Sequence, residues 1–138
     1  HIYCILSYSG SQKYIESVTK LGYELFPNSF TPIMDFMPLN EYCYFLDKMT
    51  IAIFAVNSRQ QGLGNIFTML ENGTTLYLHG NTSTAKWLDK NNISYMRYEE
   101  GELLTEITKI EQKKNIDFFT RFNTTENHLS ELQRLFKC

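Results

Sequence analysis

The sequence has no excess of positive charge: 13 Lys and Arg stand against 15 Asp and Glu, a formal net charge of −2. A protein that binds nucleic acid chiefly through phosphates needs a positive face, so no nucleic-acid partner is expected. A local basic site for one diphosphate is compatible with this balance. No apolar run approaches the roughly 20 residues of a membrane-spanning helix, and no signal peptide is visible. Cysteine is scarce: Cys4, Cys43 and Cys138 are odd in number, far apart and match no metal-ligand spacing. They read as free thiols in a reducing compartment. His1, His79 and His128 show no metal spacing either. The chain lacks a nucleophile elbow, a Cys-x-x-Cys, and an Asp-x-Asp that would hold a metal on a sugar diphosphate. No metal or other cofactor is therefore expected.

The sequence is well supplied with core-forming side chains. Of its 138 residues 43% are hydrophobic, with ten Phe and nine Tyr, enough for one domain of ordinary size. The chain begins with His1, and Ile2 already lies in an apolar run, so a fragment cut from a longer chain is expected.

Short apolar runs and helical periodicities alternate along the chain. Residues 2–8 (IYCILSY) read as a strand buried on both faces. Residues 12–26 follow at helical spacing and are ended by Pro27-Asn28. Residues 30–37 form a second apolar run, but Pro32 would lose a ladder bond in a central strand, which confines the expected strand to 33–36. A helix over 39–49 carries Tyr42, Phe45, Leu46 and Met49 on one face. Residues 50–56 (TIAIFAV) read as the clearest buried strand. A turn over 57–64 leads to a helix over 65–71, closed by Asn72-Gly73. A strand over 75–78, a short helix over 83–90 with the lone Trp87, and a last strand over 94–98 follow. The remainder reads as helix with breaks near Asn115 and Asn123, an appended tail rather than another layer of sheet. The alternation predicts an α/β fold: a Rossmann-like parallel sheet with helices on both faces. Its expected extent is 1–122, with 123–138 a helical tail packing on it.

Ligands of open α/β sheets bind at the carboxyl ends of the strands. Three loops there carry unusual residues. The third, residues 57–65, is the most informative. Gly62 and Gly64 let backbone approach a ligand and leave the amides of the next helix unobstructed, where the helix dipole favours an anion. Arg59 is placed to fork onto phosphate oxygens, and Gln60, Gln61 and Asn65 complete a plausible diphosphate cradle. A β-branched residue at Gly64 would resist any positive φ and crowd the phosphates. Taken alone, the Gly-x-Gly is as compatible with a tight turn and a solvated Arg59. The first loop offers Ser7, Tyr8, Ser9 and Gly10 to a phosphate or sugar, with Ser11 beyond them; a serine here is also an ordinary N-cap. The second offers Phe36 and Met37, with Pro38 and Leu39, as a platform for a base, although Phe and Met are more often core. His79-Gly80 follows a strand and reads as a turn. No catalytic residue is evident.

The run NSFTPIMDFMPLNEYCYFLDKMTIAIF, followed by RQQGLGNIFTMLENGTTLYL, resembles the 4-alpha-L-fucosyltransferase family (glycosyltransferase family 56). That family includes the TDP-N-acetylfucosamine:lipid II N-acetylfucosaminyltransferases of enterobacterial common antigen synthesis. LSYSGSQKYIESVTKLGYELF and Trp87 extend the likeness over residues 2–98. The resemblance implies the C-terminal, nucleotide-sugar-binding half of a two-domain GT-B-type glycosyltransferase, inactive by itself. It implies a dTDP-sugar as donor and a lipid-linked glycan as acceptor, reached through an N-terminal domain. It places the full-length enzyme in the cytoplasm, peripheral at the inner face of the inner membrane. Carried over by position, Arg59, Gln60, Gln61, Gly62, Gly64 and Asn65 would hold the diphosphate. Ser7, Tyr8, Ser9 and Gly10 would face the sugar or phosphate, and Phe36, Met37, Pro38 and Leu39 the base. One departure stands out: where many transferases of this fold place a ribose-gripping Glu, this chain has Thr68, and Glu71 comes late. The alternative class is a non-catalytic phospho-ligand-binding or interaction α/β domain.

Overall fold

The computed structural model describes residues 1–8, 10–55, 62–98, 104–127, 129 and 130. The chain is α/β, and among the described residues every strand pairing is parallel. It divides into two compact units, residues 1–41 and 42–138. The strands form two sheets, of two and three strands, where the alternation of elements predicts one.

The first unit is a β-α-β turn: β1 (Ile2–Ile5), α1 (Gln12–Leu25) and β2 (Phe30–Ile33). The register runs from Ile2 opposite Phe30 to Ile5 opposite Ile33. Ser11 starts α1, its hydroxyl accepting from the Tyr14 N–H at 3.3 Å. This is a helix N-cap, satisfying a donor that the first turn cannot. The Phe26 N–H closes the helix on the Gly22 carbonyl, one residue before Pro27. Gly22 is buried because the Phe30 ring lies directly on it; a Cβ there would overlap the ring.

Two expectations change here. The buried strand predicted over 2–8 ends at Ile5 and is largely exposed, and Ser7 and Tyr8 belong to the loop. The strand predicted over 33–36 lies at 30–33 and contains Pro32, opposite Cys4. The ladder explains why proline is tolerated. Ser29 and Ile33 direct their carbonyls at β1, accepting from Ile2 and Leu6 at 2.7 and 2.8 Å. Alternation then points position 32 away from β1, the only strand paired with β2 among the described residues, so the missing N–H costs no ladder bond.

The second unit contains most of α2 (Leu39–Asp47), then β3 (Ile51–Phe54), α3 (Leu63–Glu71), β4 (Thr75–Leu78), α4 (Ser83–Lys90), β5 (Met96–Arg97) and α5 (Lys109–Phe122). Its sheet runs β3-β4-β5, each parallel to the next. Every residue of β4 is buried, whereas β3, predicted to be the clearest buried strand, is only half-buried. Leu76 and Leu78 join a core with Leu46 of α2, Ile66, Met69 and Leu70 of α3, Leu88 of α4 and Phe119 of α5. Phe67, Trp87, Phe118, Phe119 and Phe122 pack ring against ring beside it, the Phe67 centroid 5.2 Å from both Trp87 and Phe119. As predicted, α3 ends at Asn72 and Gly73, the latter left-handed with φ 81°.

The sequence reading of α5 is corrected in two respects. The helix is part of the core rather than an appendage, with Phe119 fully buried. Asn115 does not break it. From inside the helix Asn115 accepts from the Ser94 N–H at 3.0 Å and donates to the Ser94 carbonyl at 2.8 Å, pairing with the chain just before β5. Buried amides are tolerated when satisfied in this way. The break expected near Asn123 is present, as the C-cap of α5. Most of 123–138 lies outside the described residues.

Two outcomes follow. Gly22→Ala drives a methyl group into Phe30, and overpacking of this kind costs about 1–3 kcal/mol; denaturant titration with Phe30 and its neighbour Tyr23 as reporters measures the loss. At the start of α5, Thr108 and Glu111 form a reciprocal capping box. Hydrogen bonds from the Thr108 hydroxyl and backbone N–H hold the Glu111 carboxyl below the usual Glu range. A carboxylate lowered in the fold stabilises at pH above its unfolded value, and that stability is lost as pH falls through its folded value. The Tm difference between wild type and Glu111→Gln therefore narrows as the buffer is taken down through the acid range.

Candidate functional site

Parallel strands bring their carboxyl ends to one edge, and each crossover helix starts there. In the second unit that edge carries the N-terminus of α3. Its N-cap is Gly62, left-handed with φ 51°, which has no side chain of its own to cap the helix. By contrast α1, α4 and α5 are each capped by a hydroxyl, from Ser11, Thr82 and Thr108. The first helical bond is Ile66 N–H to the Gly62 carbonyl at 2.9 Å, so the amides of Leu63, Gly64 and Asn65 have no intrahelical acceptor. Among the described residues nothing lies within 4 Å of where a Cβ on Gly64 would sit. An uncapped helix start with an open glycine presents donors and a positive dipole end to an anion.

Asn65 is braced from α2. Its Nδ2 donates to the Tyr42 hydroxyl at 2.9 Å, so the part of Asn65 directed to the helix start is its backbone N–H. A Cβ on Gly62 would come within 3.3 Å of the same Nδ2. The left-handed backbone that the sequence reading associated with Gly64 is at Gly62; Gly64 is ordinary helix. Glu71, the late acid, is the last residue of α3 and accepts from Asn123 Nδ2 at 3.0 Å. It sits at the opposite end of the helix from these amides.

In the first unit the loops after β1 and β2 leave the carboxyl edge of its own two-stranded sheet. Tyr8 and Phe36 meet there edge to face, their centroids 6.1 Å apart. They are 61% and 73% exposed, so Phe36 is not core. Met37 is half-buried; Pro38 and Leu39, the first residue of α2, are exposed. Ser7 is half-buried, and Gly10 lies just before the Ser11 cap. A groove of about 470 Å³ beside this loop has an apolar floor of Leu6, Ile15 and Met34, and Thr19 lines it. The Thr19 hydroxyl is buried without a partner.

The structure thus places Gly62, Gly64 and Asn65 together in one unit and Tyr8 and Phe36 together in the other. Ser9, Arg59, Gln60 and Gln61 lie outside the described residues. Sequence reasoning missed the Tyr42 brace, because Tyr42 sits on the apolar face of a helix and reads there as core. A tyrosine on such a face carries a polar tip that needs a partner, which was the available signal. Among the described residues no group of three His, Cys, Asp or Glu is placed to hold a metal ion, and no helix is long and apolar enough to cross a membrane. No family model matches the chain, and neither a curated protein nor a solved structure matches it.

The two glycines separate ligand effects from fold effects. Gly62→Ala forces a side chain into the left-handed region and lowers stability by about 1 kcal/mol. Gly64→Ala meets no atom of the described residues and raises stability by roughly 0.5–1 kcal/mol, the usual gain of Ala over Gly in a helix. Thermal melts of the two variants check the opposite signs.

Proposed function

We propose that the chain is a Rossmann-like donor-binding domain, the C-terminal half of a GT-B-type glycosyltransferase. It holds a nucleotide-diphosphate sugar, a dTDP-sugar, for transfer of a deoxyamino or fucose-like sugar to a lipid-linked glycan. The acceptor is handled by an N-terminal domain, and the full-length enzyme works at the inner face of the inner membrane as a peripheral protein. The observation that carries this reading is the α3 N-terminus: Gly62 left-handed, no side-chain cap, Gly64 open to approach. In glycosyl transfer the bond from the anomeric carbon to the diphosphate oxygen breaks, and charge grows on the leaving nucleoside diphosphate. Fixed amides and an arginine aimed at those oxygens stabilise that charge without reorganising. In this reading Arg59, Gln60 and Gln61 complete the cradle.

The exposed aromatic pair also favours a second reading, an interaction or phospho-ligand-binding domain without catalysis. Arg59 separates the two. If the cradle holds a diphosphate, Arg59→Ala weakens thymidine diphosphate by about 2–3 kcal/mol, the worth of a charge-assisted bond. Arg59→Lys recovers part, since the charge stays and the planar fork is lost. Gly64→Ala weakens binding while melting no lower than wild type. Calorimetry with matched thermal melts makes the measurement. Wild-type affinity in both Arg59→Ala and Gly64→Ala refutes the donor reading.

A further inference from the structure

An asparagine followed by glycine is the dipeptide most open to attack by its own backbone, and the chain contains one, Asn72-Gly73, at the end of α3. We propose that Asn72 is a site of spontaneous modification, conversion to aspartate and isoaspartate, at a rate set by opening of the last turn of α3. No ligand enters this chemistry, so it stands apart from the donor reading.

Asn72 is exposed to water. In the reaction the Gly73 backbone nitrogen gives up its proton and attacks the side-chain carbonyl carbon of Asn72. A C–N bond forms, ammonia leaves, and a cyclic imide remains. Water then opens the imide at either carbonyl, giving aspartate or isoaspartate. No oxidant or other reagent is needed. Glycine favours the first step because it has no side chain to hinder the approach and its backbone is the least restricted.

The fold holds both reacting groups back. The Gly73 N–H donates to the Leu70 carbonyl at 3.2 Å and the Thr74 N–H to the Met69 carbonyl at 2.9 Å, the paired bonds of a Schellman cap. A nitrogen engaged in this way gives up its proton less readily. Asn72 has φ −85° and ψ −1°, and at that ψ its side chain and the Gly73 nitrogen are turned away from each other about the Cα–C bond. Beyond the turn Thr74 is buried, with its hydroxyl on the Met49 carbonyl at 2.8 Å. The imide therefore closes only when the turn opens, a local opening of the kind that helix ends undergo. The product then acts on the same turn. Either acid adds a negative charge beside Glu71, at the helix end where the dipole disfavours it. Isoaspartate also routes the main chain through the side-chain carbons and lengthens it between the two cap bonds.

The full chain is incubated in warm, mildly alkaline buffer while peptide mapping by mass spectrometry follows every asparagine. NMR hydrogen exchange measures the protection of the Gly73 amide under the same conditions. Asn72 is expected to convert ahead of the other asparagines. Its conversion should be slower than in the urea-unfolded chain by the factor by which the Gly73 amide is protected from exchange, because one opening governs both. Thr74→Val removes the bond to Met49 and leaves the Asn-Gly pair intact; it should speed conversion and lower the protection together. Should Thr74→Val fail to fold, urea below the unfolding transition serves the same purpose on the wild type. The proposal is overturned if another asparagine converts first, or if Asn72 converts equally fast folded and unfolded. It is equally overturned if exchange at Gly73 rises in Thr74→Val while conversion of Asn72 does not.

Discussion

Strand β4 is buried on both faces, yet it and the residue before it carry three polar side chains: Thr74, Thr75 and Tyr77. Each must be bonded inside the protein, and each bond recruits a distant segment. The Thr74 hydroxyl donates to the Met49 carbonyl at 2.8 Å and so ties the end of the α2 region to the sheet. Thr75 accepts from the Ile107 N–H at 3.1 Å. The Tyr77 hydroxyl both donates to the Thr105 carbonyl and accepts from the Thr105 N–H, at 2.9 and 2.7 Å. Thr75 and Tyr77 share one face of the strand by alternation, while Leu76 and Leu78 point to the apolar core. The chain leading to α5 is therefore laid against β4 by its polar face. α5 itself closes over α3 and α4 through the aromatic cluster. Losing the Tyr77 hydroxyl would remove both bonds to Thr105 at once, at about 0.5–1.5 kcal/mol each.

The candidate sites depend on this arrangement. A helix start can be left open to a ligand only if something else fixes the helix. For α3 the fixing comes from Ile66, Met69 and Leu70 in the core and from the Tyr42–Asn65 bond. A hydroxyl cap is worth about 1 kcal/mol, and α3 forgoes it. At the ends of β4 and β5 the contacts are likewise internal: Thr82 bonds the His79 carbonyl and Asp89 holds the Arg97 guanidinium.

The sequence was legible where structure is local. The strand over 75–78 and the helix over 83–90 were read to the residue, because each is bounded by turn residues and a cap. The Asn72-Gly73 stop followed from the left-handed geometry that ends helices. What failed was non-local. Which strands pair is not written in their periodicity, so an alternating pattern predicted one sheet where there are two. Apolar runs gave strand existence but not burial: β1 and β3 looked more buried than β4, whose threonines disguise it. Pro32 misplaced β2 because an edge strand tolerates proline where a central strand does not. Asn115 read as a break because its partner, Ser94, is 21 residues away. At the site, the glycines were visible as a motif, but which of the two is left-handed depends on where α3 starts.

The candidate donors of the second unit gather at an edge for a reason that precedes any particular ligand. Parallel connectivity sends every crossover helix off from the carboxyl ends of the strands, so the open amides of α3 and the end of β5 face the same side of one sheet. With a net charge of −2 there is no general attraction for anions. Whatever affinity exists must come from a few fixed donors acting at short range, where exposed charges farther off are screened within about 8–10 Å. Fixed amides meet that requirement better than a spray of surface lysines, because they are ordered before a ligand arrives. The same reasoning sets a limit on the interaction-module reading. Exposed Tyr8 and Phe36 can serve a flat ring or a protein surface equally well, whereas an uncapped helix N-terminus offers donors to an anion but little to an apolar partner.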